Sequence, residues 1–127
     1  MVCEAEGRYD LRSRTRKYAS NIVQLYCNLP KGRREIAVIG EQLLRAGTSV
    51  AANYRESCRS RSCAEFISKI ETCAQEADES DLWLDMLKND CGIETELIEF
   101  LLKETDELIA IFVTMSKNTK KRSDYKK

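Results

Sequence analysis

The stretch that decides the fold is residues 42–87, QLLRAGTSVAANYRESCRSRSCAEFISKIETCAQEADESDLWLDML. On both sides of its central ESCRSRS, apolar residues recur every three or four positions, which is the period of an amphipathic helix. Ser62, followed three residues later by Glu65, matches a capping box and predicts a helix start. Two helices joined by so short a connection are expected to pack antiparallel.

The same period extends outward through both flanks and predicts four helices. They cover about residues 10–29, 34–55 or slightly beyond, from Ser60 or Ser62 to 89–92, and 95–117. Asp10 is the expected N-cap or first-turn acid of the first helix, and Pro30 ends it. We predict an all-α, up-down-up-down antiparallel four-helix bundle over residues 1–118, followed by a flexible, disordered basic tail over residues 119–127.

The composition restricts the function. The 127 residues suit one domain, and a single Pro with five Gly disfavours an all-β fold. The absence of His excludes His-based catalytic triads and His-ligated metal sites, so we expect neither an enzyme nor a cofactor. Because the sequence has no apolar signal region and its longest apolar run is only Leu108–Val113, we expect a cytoplasmic protein without membrane contact.

Six cysteines lie at positions 3, 27, 58, 63, 73 and 91, without a C-x-x-C pair. In a chain without an export signal this pattern predicts small apolar residues on helix faces. We expect neither a disulfide framework nor a cysteine-ligated metal.

The second helix has an unusually small-residue surface. Gly40 and Gly47 fall in its interior, where each costs about 1 kcal/mol of helix propensity relative to Ala. This cost must be offset by another stabilising interaction, and we expect the close approach of another helix backbone to supply it.

The net charge of zero conceals a strong separation of basic and acidic residues along the chain. Residues 64–107 contain three basic and fourteen acidic residues, whereas residues 1–34 and 108–127 each carry a net charge of +5. Basic clusters that could bind phosphates lie at the start of the first helix and at the turn between the second and third. They comprise Arg12, Arg14, Arg16, Lys17, Arg55, Arg59 and Arg61. The alternative interpretation of such clusters is simple solvation or neutralisation by neighbouring helices.

A polar seam is predicted between or beside the second and third helices. If they run antiparallel around residue 60, Arg45 lies level with Glu76. The seam comprises Arg45, Asn53, Glu65, Glu76 and Glu79. We interpret it as structural, fixing helix register, because a metal or acid–base site in a bundle needs more converging ligands than this chain supplies. A metal-dependent enzyme using Glu76 and Glu79 is the least favoured hypothesis.

Residues 42–87 resemble the bacterial four-helix-bundle family of 23S rRNA intervening-sequence proteins. The shared pattern is approximately R-x-(G/A)-x-S-(V/I)-x-x-N-(I/Y), then R-S-x-x-E-F, then E-x-x-E. The matching residues are Arg45, Gly47, Ser49, Val50, Asn53, Tyr54, Arg55, Arg59, Ser62, Glu65, Phe66, Glu76 and Glu79. The flanking helices resemble the family only in length and hydrophobic spacing.

The resemblance implies a bundle that assembles as a homopentamer and has no established enzymatic activity. A related branch is the accessory variability determinant of diversity-generating retroelements, a pentamer that binds nucleic acid and a reverse transcriptase. We therefore expect a non-enzymatic homo-oligomer that binds RNA or structured DNA electrostatically. The alternative is a protein-interaction scaffold that recruits a partner such as a reverse transcriptase without touching nucleic acid.

Overall fold

A computed structural model describes the backbone from residue 8 to residue 125 and the side chains from residue 11 to residue 123. Four helices occupy this part of the chain, and it contains no strand. They are α1 (Arg8–Cys27), α2 (Arg34–Ser57), α3 (Cys63–Asn89) and α4 (Glu96–Tyr125). Each helix packs against its neighbours in sequence, and α1 also contacts α4, which closes the bundle. The predicted all-α four-helix bundle is confirmed.

Local chemistry explains where the helices begin and end. The Ser62 hydroxyl accepts a hydrogen bond from the Glu65 amide at 3.0 Å, so the predicted cap of α3 is confirmed. Thr95 caps α4 in the same way, through the Ile98 amide at 3.2 Å. The turn after α3 passes through Gly92, whose φ of 78° favours glycine. Asp10, the predicted cap of α1, falls inside that helix, and its side chain lies outside the described part.

The last helix is longer than the sequence pattern predicts. α4 continues to Tyr125 and therefore through most of the segment 119–127 for which a mobile tail is predicted. Two contacts account for the extra turns: Thr119 is buried, and the Lys120 ammonium lies 2.7 Å from a Glu71 carboxylate oxygen on α3. Residues 126 and 127 lie outside the described residues.

The core is built from the stripes that the sequence predicts. All six residues of the stripe predicted for the first helix are buried, five of them in α1 and Leu29 just after its end: Leu11, Thr15, Tyr18, Ile22, Leu25 and Leu29. Tyr54 and Phe112 bring α2 and α4 together, with ring centroids 6.4 Å apart. Val113, which the pattern places on the apolar face of α4, is instead 40% exposed.

Helices α1 and α2 approach closely at the two glycines of α2. A Cβ atom on Gly47 would lie 2.7 Å from Cγ1 of Ile22, and one on Gly40 would lie 2.8 Å from Cδ1 of Leu29. Both distances are shorter than a van der Waals contact, so α1 side chains fill the space left by the missing methyl groups. This contact is the gain expected to offset the propensity cost of the glycines.

The cysteines follow the sequence expectation only in part, since Cys73 is buried on a helix face but Cys58 and Cys91 lie in the turns after α2 and α3 and Cys27 is exposed. Cys27, Cys73 and Cys91 are free thiols and Cys58 is in no disulfide, whereas Cys63, at the start of α3, is disulfide-bonded. Burial, with a smaller contribution from Cys58, raises the pKa of the Cys73 thiol to about 12. Cys3 lies outside the described residues. No helix in the described part is both long and apolar enough to span a membrane.

Candidate nucleic-acid interface

The connection between α2 and α3 is a hydrogen-bonded turn. The Arg59 amide donates to the Glu56 carbonyl at 3.1 Å, and the Ser60 amide donates to the Ser57 carbonyl at 3.2 Å. The buried Ser57 hydroxyl donates to the Tyr54 carbonyl at 2.6 Å, which ties the end of α2 to the core. With Ser62 capping α3, the turn has a defined backbone conformation.

Three arginines project from this turn into solvent. Arg55, Arg59 and Arg61 are exposed, and between residues 11 and 123 no hydrogen bond or ion pair engages their guanidinium groups. The nearest acid along α2, Glu56, pairs with Lys69 of α3 at 2.5 Å and so is already compensated. Glu65, in the first turn of α3, is the other acid near the turn, and between residues 11 and 123 it forms no ion pair with the three arginines. We call these three residues the basic end.

The second half of α4 adds further cations near the same end of the bundle. Glu71, in the first half of α3, accepts a hydrogen bond from the Ser116 hydroxyl at 3.2 Å and pairs with Lys120. These contacts place the C-terminal half of α4 beside the N-terminal half of α3. The hydrogen bond from Lys120 lowers the pKa of Glu71. Lys117 and Lys121 are exposed on the same part of α4.

The predicted cluster on α1 separates into two kinds of residue. Arg12 and Lys17 are exposed, and the exposed Arg16 donates to the Ser20 hydroxyl within its own helix. Arg14 is different, because it faces α4 rather than solvent.

Arg14 makes the strongest ionic contact between α1 and α4. Its Nε and Nη2 atoms each lie 2.7 Å from an oxygen of Glu104, and Nη2 also lies 2.8 Å from Glu107. The Glu104 side chain is only 14% exposed, so the pair is partly shielded from water. Hydrogen bonding to Glu104 raises the pKa of Arg14 above its already high ordinary value. We therefore assign Arg14, predicted to bind nucleic acid, to the stability of the bundle.

The structure brings together three of the five residues of the predicted polar seam. Arg45 pairs with Glu79 and lies 3.5 Å from Glu76, which matches the register expected for the antiparallel pair. The second contact is an ion pair without a hydrogen bond, since Oε1 of Glu76 is buried and has no hydrogen-bonding partner. The indole N–H of Trp83 donates to Glu79 at 3.3 Å.

The other two seam residues, Asn53 and Glu65, contact their own helices. Asn53 donates to the Ser49 carbonyl at 2.9 Å, and the Glu65 amide is bound by the α3 cap. The seam is thus shorter than predicted and consists of Arg45, Glu76 and Glu79.

Acidic residues gather on the second half of α3, away from the basic end. Burial is the largest cause of a raised pKa at Asp81, and the charges of Asp106, Asp78 and Asp85 raise it further. Within the described residues, no group of three or more acidic or cysteine side chains is placed to hold a metal ion.

Two contacts of α1 with α4 were not predicted from the sequence. One is the Arg14 pair with Glu104 and Glu107, and the other is a buried hydrogen bond of 2.7 Å between the Tyr18 and Thr105 hydroxyls. Burial raises the pKa of Tyr18 to about 12. These partners are about ninety residues apart, and no local sequence signal links them. By contrast, the i,i+4 spacing of Glu79 and Trp83 is a signal that can be found.

Comparisons with known proteins match parts of all four helices. The family model described as 23S rRNA-intervening sequence protein matches residues 8–114. A crystal structure at 1.70 Å resolution, of a protein with unknown function from the S23 ribosomal protein family of Bacteroides thetaiotaomicron VPI-5482, is similar to this chain. The two sequences are 31% identical, the match covers 84% of this chain and 97% of the other, and the TM-score is 0.75. A comparison with curated proteins found no match.

Proposed function

Because this chain belongs to the 23S rRNA-intervening sequence protein family, we propose that it is a non-enzymatic, homo-oligomeric four-helix bundle that binds nucleic acid, RNA or structured DNA. Binding is electrostatic and occurs through the basic end, with little dependence on base sequence. The family's members have no shared catalytic assignment to extend to this chain, so the proposal depends on the chemistry of its surface.

The observation that carries the proposal is that the three arginines of the basic end have no partner within the described residues. A guanidinium group offers several N–H donors in a planar fork that matches two phosphate oxygens. Because the turn is held by backbone hydrogen bonds, the backbone that carries Arg59 and Arg61 is already ordered and loses little entropy on binding.

Further cations extend the proposed interface. Arg12, Arg16 and Lys17 on α1 and Lys117 and Lys121 on α4 are exposed. They add non-specific attraction for a polyanion but are not held in a rigid turn like that of the basic end. Arg14 is left out, since its guanidinium is bound by two glutamates.

The experiment is a titration of fluorescently labelled structured RNA with the full chain at about 50 mM and about 200 mM salt. We expect binding at the lower salt and at least a tenfold loss of affinity at the higher, because each phosphate contact releases counterions. The triple variant R55E/R59E/R61E is expected to bind about 100-fold more weakly. Absence of binding at the lower salt would contradict the proposal.

A matched control changes the same amount of charge elsewhere. Lys31, Arg34 and Lys103 are exposed and lie away from the α2–α3 turn. The variant K31E/R34E/K103E therefore has the same net charge as the first triple variant. Equal weakening by both triples would show that only overall charge matters and that the basic end is not the contact.

The proposed homo-oligomer is supported by apolar side chains left in solvent. Val38, Leu82 and Phe100, on α2, α3 and α4, are each 50% exposed, and burying them between copies of the chain would remove apolar surface from water. Light scattering is expected to give the mass of a pentamer, about five times the 14.6 kDa of one chain. A mass that stays at one chain at all concentrations would contradict this part of the proposal.

The same exposed apolar residues favour a second function, a scaffold that recruits a protein without touching nucleic acid. For this alternative we propose a relation to the accessory variability determinant of diversity-generating retroelements, with a reverse transcriptase as the partner. A pull-down of a candidate partner with and without nuclease separates the two. Capture that survives nuclease, together with no binding of purified RNA, would favour the scaffold.

A further inference from the structure

We propose that the basic end binds the phosphate backbone of double-helical nucleic acid in preference to single strands. This inference rests on the proposed function and names the class of ligand that the site takes. Two features support it: the burial of the aromatic side chains near the basic end and the hydrogen-bonded backbone of the α2–α3 turn.

Among the side chains that the structure describes, the aromatic rings next to the basic end are in the core. Tyr54 is adjacent to Arg55 in sequence and is 0% exposed, and Phe66, in the first turn of α3, is 4% exposed. Phe112 of α4 packs against Tyr54 and is also fully buried. Proteins that hold single strands do so largely by stacking bases on exposed aromatic rings. These three rings are not accessible for stacking.

Exposed aromatic surface lies elsewhere in the described residues. Phe100 is half exposed in the second turn of α4, which begins at the opposite end of the bundle from the α2–α3 turn. Trp83 is half-buried along α3, where its indole N–H is bonded to Glu79. Neither residue neighbours the three arginines in sequence or across the turn.

The rigidity of the turn also favours a regular array of phosphates. Arg59 and Arg61 lie between the last turn of α2 and the Ser62 cap of α3, and the hydrogen bonds at Arg59 and Ser60 hold the backbone between them. The backbone positions of these cations are fixed, so the side chains reach most readily a row of phosphates that is itself ordered. A duplex backbone is already ordered, whereas a flexible single strand must lose conformational entropy to reach the same arrangement.

The test compares four ligands of about 20 nucleotides per strand. They are an RNA duplex, a DNA duplex, a single strand of the same sequence, and a single strand with abasic sites at alternate positions. We expect each duplex to bind at least about fivefold more tightly than the single strand, and the abasic and intact single strands to bind equally. The two duplexes distinguish RNA from DNA as the source of the backbone.

Two outcomes overturn the inference while the proposed function survives. One is a single strand that binds as tightly as the duplexes, and the other is a loss of single-strand affinity at abasic sites, which would reveal stacking. The double variant Y9A/Y125A extends the test to two tyrosines whose side chains lie outside the described part, and it is expected to leave all four affinities unchanged. Binding to none of the ligands would instead refute the proposed function itself.

Discussion

Arg14 and Arg45, on the flanks of the bundle, each contact two glutamates, whereas Arg55, Arg59 and Arg61 at the basic end contact none within the described residues. On the flanks, the arginine charges form ion pairs that hold neighbouring helices together. At the basic end the charge faces water, and an approaching anion need not displace an existing partner. The same residue type therefore serves stability in one region and is available for binding in the other.

The prediction with the largest expected effect removes the ion pairs of Arg14 with Glu104 and Glu107. Replacing Arg14 by Ala leaves the mostly buried Glu104 carboxylate without its bidentate partner, so we expect a loss of about 2 kcal/mol in the free energy of unfolding. Urea denaturation measures it. The control is Arg12→Ala on the exposed face of the same helix, which is expected to change stability by less than about 0.5 kcal/mol. Equal effects of the two substitutions would remove the distinction between paired and unpaired arginines.

The sequence predicts the fold well because the fold depends on local periodicity. The α1 stripe from Leu11 to Leu29 and the Ser62 cap each involve residues within a few turns of one another. The position of Arg45 opposite Glu76 was also predictable, since a short turn fixes the register of an antiparallel pair. Each of these features follows from spacing alone.

The distinction between paired and unpaired arginines was not predictable in this way. Arg14 and Arg12 belong to one basic cluster in the sequence, and only the packing of α1 against α4 places Glu104 beside the former. The extension of α4 to Tyr125 has a similar origin, because it depends on a contact between Lys120 and Glu71 on another helix. Charged residues carry no apolar period that would mark which of them meet in the fold.

Alkaline pH tests the interior of the bundle. The folded-state pKa values of Tyr18 and Cys73 are both raised to about 12, chiefly by burial. Their neutral forms are favoured in the fold, so each contribution to stability is complete below the ordinary pKa of the group, about 8.5 for Cys73 and about 10 for Tyr18, and is lost as the pH rises from there towards 12. For Tyr18 we expect the loss to be about 2 kcal/mol, measured by urea denaturation between pH 9 and pH 12.

The control for this pH dependence is Tyr18→Phe, which cannot ionise. It loses the hydrogen bond to Thr105 and is expected to be less stable than the unchanged chain at neutral pH by about 1 kcal/mol. Its stability should then fall less steeply above pH 10. If the two profiles stay parallel over this range, Tyr18 is not responsible for the alkaline loss.

A smaller effect is expected where α1 meets α2. In Gly47→Ala the new methyl group meets Cγ1 and Cγ2 of Ile22, a β-branched side chain that cannot swing away, so strain exceeds the gain in helix propensity. We expect a net loss of about 1 kcal/mol in thermal or urea unfolding. Gly40→Ala is the matched control, because its nearest neighbour is the flexible end of Leu29, and it is expected to be neutral within about 0.5 kcal/mol. Equal losses at both glycines would contradict the difference between the stiff Ile22 contact and the flexible Leu29 contact, and equal gains would indicate that helix propensity alone determines the effect.

The smallest expected effect concerns Arg45, which lies between the two extremes because it is paired but half exposed. Arg45→Ala is expected to cost about 0.5–1 kcal/mol, since an exposed ion pair contributes little but Glu76 has a buried carboxylate oxygen without a hydrogen bond. This buried oxygen is why we expect the loss of stability to exceed that of an ordinary exposed ion pair. Neutralising it with Glu76→Gln should therefore make the Arg45→Ala substitution cheaper, and a double-mutant cycle in urea measures the difference. A coupling of zero would place Arg45 with the arginines of the basic end as a surface cation whose charge is not used by the fold.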